Sequence, residues 1–182
     1  MKRELSKVVA VFCAAATVLA SSALAKEPAT SPDARERASS IALVVFQDLP
    51  GGSDILTGHY QDGLSKASAA LADQPYQYRL ELETNICAAN VKLGQFDSAN
   101  TSCEAALDAR PRSTMVMTRR HFLAVAHVNH GVVHLVQGDR DFAIQEFDRA
   151  RAMFPGLRVA ASNLTLTEAP DLEPHIEVGP AL

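Results

Sequence analysis

Tryptophan is missing from the 182 residues, and aromatic side chains make up only 5% of them. A core without bulky rings has to be assembled from Ala, Leu, Val and Ile. Alanine-rich packing with close helix approach fits stacked helices better than a β-sandwich. Basic charge is scarce too, with 17 Lys and Arg against 21 Asp and Glu, which argues against a nucleic-acid partner. No Gly-x-Ser-x-Gly, no His-Glu-x-x-His and no Gly-rich phosphate loop occurs, so the usual hydrolase, zincin and nucleotide motifs are excluded. Carboxylates are plentiful, but their surroundings single none out. The expectation is a protein without catalysis and without a cofactor.

What is present begins with a targeting segment. Lys2, Arg3 and Lys7 form a positive stretch, Val8 to Ala20 is apolar, and Ala23-Leu24-Ala25 has the small-x-small form of a cleavage site. Residues 1–25 read as a signal peptide, with the mature chain starting at Lys26 and secreted, into the periplasm. No other stretch is apolar enough to span a membrane. Removing residues 1–25 takes away Lys2, Arg3, Lys7 and Glu4, leaving 14 basic and 20 acidic side chains. Cys13 is lost as well, so Cys87 and Cys103 remain. An even cysteine count in a secreted chain reads as a disulfide.

Residues 26–40 are polar and charged and read as a flexible lead-in. Ile41 to Phe46 is a continuous apolar run, closed by Pro50-Gly51-Gly52. Such a run is either a strand or a short buried helix, and periodicity does not separate the two. From Leu56 to Pro155 the chain reads as helices, in a pattern spelled three times. One copy runs Gly94, Phe96, Ala99, Ala106-Leu107 and Pro111. A second runs Gly138, Ala143, Phe147, Ala150 and Pro155, and a weaker one Gly58, Tyr60, Gly63, Ala67, Ala70-Leu71 and Pro75. Glycine ends one helix, small residues let axes approach, and proline stops the next helix.

This pattern resembles the tetratricopeptide repeat (TPR), whose unit is a pair of antiparallel helices of about 34 residues. The resemblance implies an all-α, TPR-like α-solenoid over residues 41–155. It would hold about two and a half repeats and start with a short irregular or β segment. Gly58 and Gly94 are 36 residues apart, but Gly94 and Gly138 are 44 apart. The extra residues fall around Arg112 to Phe122 and should lengthen a first helix or its leading loop. Residues 156–182 would form a C-terminal cap and an acidic, proline-containing tail. Within them Leu157 to Thr167 is either a capping helix or a strand paired with Ile41–Phe46.

In the repeat register Cys87 lies mid first helix and Cys103 opposite it in the second, so the resemblance pairs them. His127, His130 and His134 share one helix face, spaced tolerably for a transition metal. The resemblance turns that face toward the second helix of the pair, where histidine can serve in packing. A metal-binding protein is therefore the alternative reading. Arg110, Arg112, Arg119 and Arg120 form a basic cluster, for an acidic partner, the chain's own tail or plain solvation. The resemblance makes Val125, Val128, Val132, Leu135 and Val136 an apolar groove wall. That wall is either a surface for a peptide or protein partner or is covered by the protein's own flanks. Self-association is a further use of it. Asn100-Thr-Ser102 and Asn163-Leu-Thr165 match the glycosylation sequon, but the first falls inside a helix. The function expected is a non-catalytic interaction module of the bacterial cell envelope, a scaffold or adaptor holding a peptide segment.

Overall fold

The computed structural model describes residues 40–73, 78–109, 115–169 and 175–181. Residues 1–25, expected to be a signal peptide, most of the expected lead-in, Arg110 and Arg112 lie outside them. The described part is mostly helical. Strand β1 (Ile41–Val45) comes first, then α1 (Gly52–Leu56), α2 (Tyr60–Asp73), α3 (Arg79–Lys92), α4 (Phe96–Asp108), α5 (Val116–Val136), α6 (Arg140–Met153) and α7 (Arg158–Glu168). Strand β2 (Ile176–Pro180) closes the order.

The recurring glycines mark the helix joints. Gly58, Gly94 and Gly138 have φ of 87°, 73° and 88°, a left-handed conformation that side chains other than hydrogen resist. Each lies just ahead of the second helix of a pair, between α1 and α2, α3 and α4, and α5 and α6. The first pair is lopsided: α1 has five residues where α3 has fourteen, because Pro50-Gly51-Gly52 occupies the space of a longer helix. The long Gly94–Gly138 interval is taken up in α5, which runs to 21 residues.

Every helix packs on its sequence neighbour from α1 to α7, and α3 also touches α5, as α5 touches α7. Close approach follows from small side chains. A Cβ on Gly131 of α5 would fall 2.6 Å from the Phe147 ring of α6. Cys87 and Cys103 join α3 to α4 in a disulfide with a Cα–Cα distance of 5.3 Å, and both are fully buried. No helix among the described residues is long and apolar enough to cross a membrane.

Ile41–Val45 resolves as a strand. Its partner is Ile176–Pro180, in the tail, while Arg158–Glu168 is the capping helix α7 and not a strand. The two strands run parallel, with Ile41 opposite Ile176 and Val45 opposite Pro180. A parallel pair needs a long crossover, and here the crossover is the whole helical array. Two strands alone are marginal in water, so the helices around them must hold the pair together.

Candidate functional site

The helices hold β1 by its main chain. Asn163 of α7 accepts from the Ala42 N–H at 2.9 Å and donates to the Ala42 carbonyl at 2.9 Å. Asn129 of α5 does the same for Val44, at 2.8 and 2.7 Å. Asn85 of α3 does it for Phe46, at 2.7 and 3.0 Å. Three amides from three helices thus grip every second residue of one strand edge, as a neighbouring strand would. All three asparagines are fully buried. The opposite edge of β1 pairs with β2, from Ile41 N–H to the His175 carbonyl at 2.8 Å through Ala181 N–H to the Val45 carbonyl at 2.7 Å. Both edges of β1 are satisfied.

Its side chains fill pockets on both faces. Ile41, Leu43 and Val45 are completely buried in a cluster with Val132, Val133, Phe147 and the disulfide. Val44 and Phe46 pack with Leu80, Val125, Val128 and Leu157. A strand enclosed on both faces explains why the run shows no alternation. The residues expected to form an apolar groove wall are covered by the chain's own Ile41–Phe46 segment. Val125, Val128 and Val132 have no exposed surface, and Leu135 and Val136 lie half-buried against the Ile41 cluster. The outer edge of β2 is blunted. Lys92 donates to the Ile176 carbonyl at 2.8 Å, and Pro180 brings no N–H.

Sequence reasoning did not single out Asn85, Asn129 and Asn163 as a set. A signal existed. Asn85 and Asn129 each stand nine residues before a helix-closing glycine, Gly94 and Gly138, and Asn163 follows Asn129 by 34 residues. Asn163 is a poor glycosylation acceptor, since its amide is buried and engaged. Asn100, the other sequon residue, bonds Glu104 within α4 and meets His130 Nε2 at 3.2 Å.

His127, His130 and His134 of α5 lie toward α6 or its leading turn, and the α6 carboxylate Glu146 meets the first two. His127 Nδ1 lies 2.6 Å from Glu146 Oε2 and His130 Nδ1 3.5 Å from it, while Arg149 bonds the other carboxylate oxygen. His134 stands apart, 3.8 Å from Asp139 and stacked on Phe142. Among the described residues no group of three or more His, Cys, Asp or Glu side chains is arranged to hold a metal ion. Arg119 and Arg120 pair with no carboxylate among the described residues.

Burial pushes the Glu146 carboxyl up, but hydrogen bonds from His127 and His130 outweigh it and hold Glu146 well below the usual carboxylate range. Burial lowers His121 and His134. It raises Glu81 and Glu83. A histidine lowered by folding adds stability above its unfolded pKa, about 6.5, and loses it as pH falls toward the folded value. Glu146 acts in the same sense lower down, below about 4.3, whereas Glu81 and Glu83 favour the fold on acidification. His121 packs against the Phe154 ring at 4.8 Å and Phe122 at 5.9 Å. His121→Phe should keep those contacts and reduce the stability lost between about pH 7 and about pH 5. Urea titrations at the two pH values measure this, and an unchanged difference contradicts the assignment.

No protein-family model and no curated protein matches the sequence.

Proposed function

We propose that the chain is a secreted, periplasmic, non-catalytic interaction module with TPR-like stacking, whose concave groove holds an extended protein segment. The observation that carries this reading is the row of Asn85, Asn129 and Asn163 on the main chain of β1. Main-chain grips do not depend on the identity of the side chains held, so the same groove suits another segment of similar shape. The side-chain pockets then ask for an apolar, β-branched segment. The disulfide and the signal peptide support the envelope assignment. No observation favours the metal-handling alternative.

In this reading β1 is the resident occupant. Residues 47–51 tether it, and a short tether gives an effective concentration in the millimolar range. A partner segment must compete with that. A labelled peptide of residues 40–47 should bind the wild-type chain weakly. It should bind at least about tenfold more tightly when Val44→Asp expels β1, because the tethered competitor is gone. Fluorescence anisotropy measures the affinity and circular dichroism checks that the helices persist. Equal binding of a scrambled peptide, or none of the native one, removes the groove reading.

A further inference from the structure

β1 does not fill its groove. Of the run Ile41–Phe46, Ala42 alone is not buried. Beside it lies a cavity of about 570 Å³ lined by Ala42, Val44, Phe154, Leu157, Val159 and Gly179. The cause is two small residues on one face of the sheet. Ala42 sits opposite Glu177 and Val44 opposite Gly179, and a side chain built on Gly179 would meet nothing within 4 Å. The other large β1 side chains reach tight pockets on the helices. At Ala42 the strand offers only a methyl group to the cavity that Phe154, Leu157 and Val159 line.

We infer that this cavity reads the side chain at the register of Ala42, and that it selects a bulky apolar residue in any extended partner segment that replaces β1. This rests on the groove reading above. A leucine there would reach Leu157, Val159 and Phe154 without disturbing the Asn163 grip on the main chain, since that grip is on the edge and the side chain is on the face. The resident strand is thereby the weaker ligand at one position, which lets a partner segment win against a tethered competitor.

Two arms test it. Ala42→Leu in the full chain should raise Tm, because the added side chain enters existing space. A fall in Tm contradicts the cavity's availability. In the second arm, peptides of residues 40–47 carrying alanine or leucine at the Ala42 register are titrated into the full-length Val44→Asp chain. Leucine should bind about tenfold or more tightly than alanine. Equal affinities for leucine and alanine overturn the inference while leaving the groove reading intact. If no peptide binds, the groove reading falls with the partner claim, and the Ala42→Leu arm alone decides whether the cavity accepts a larger side chain.

Discussion

Replacing Asn129 by leucine is expected to weaken the hold on β1 by about 3–5 kcal/mol. Leucine is close to asparagine in size, so little cavity is created, and the effect comes from polar groups left alone. Asn129 meets both the N–H and the carbonyl of Val44, and each buried group without a partner costs about 1–3 kcal/mol. A weaker contact to the Thr84 carbonyl at 3.4 Å ties α5 to α3 and is lost as well. The Val44 amide should lose most of its protection against hydrogen exchange. Urea unfolding registers the loss only up to the free energy at which β1 lets go, because release returns both groups to water. The position along the strand sets an order. The bonds of Asn85 and Asn129 are buried, while those of Asn163 are part-buried beside the open cavity at Ala42. Water can take over at Ala42, so Asn163→Leu should cost least. If all three cost under about 1 kcal/mol, the amides are not what holds β1.

Reduction of Cys87–Cys103 carries the second large effect. The bond closes a loop with a sequence separation of 16, worth about 3 kcal/mol through the entropy it removes from the unfolded chain. For a domain of this size that corresponds to a fall in Tm of roughly 10 °C. The consequence is not confined to α3 and α4. Both cysteines belong to the buried cluster that receives Ile41, Leu43 and Val45, so reduction should also quicken opening of β1. A melting curve with and without reductant gives the first effect, and hydrogen exchange at Leu43 gives the second. Free thiols in the oxidised protein, seen by labelling, would contradict the bond.

The helix joints were legible because they rest on local chemistry. A glycine at positive φ and a stopping proline act within a few residues, and Gly58, Gly94 and Gly138 all do what their spacing implies. The facing of His127 toward α6 followed from the repeat register, although its partner Glu146 did not, since it lies on a different helix, 19 residues further along the chain. Ile41–Phe46 was ambiguous for a physical reason. A strand buried on both faces and a short buried helix have the same apolar composition. Strand β2 gives almost no local signal, with only Ile176 and Val178 apolar in Ile176-Glu-Val-Gly-Pro180. It forms because the outer edge of β1 needs a partner, a demand set by residues more than a hundred positions away. The asparagines were hidden by the usual prior that a polar residue in mid-helix faces water. Their burial and their bonds to the main chain of Ala42, Val44 and Phe46 mark them as the residues that hold β1.

The central claim is that the groove holds an extended segment by its main chain and can release it without unfolding. Native-state hydrogen exchange at Val44, compared with the buried Val132 of α5, tests it most directly. Val44 should be strongly protected, yet open at a free energy about 2–4 kcal/mol below that of Val132, as a locally detachable element does. Val44 exchanging only with Val132, at the free energy of global unfolding, would make β1 a fixed part of the core and contradict the account.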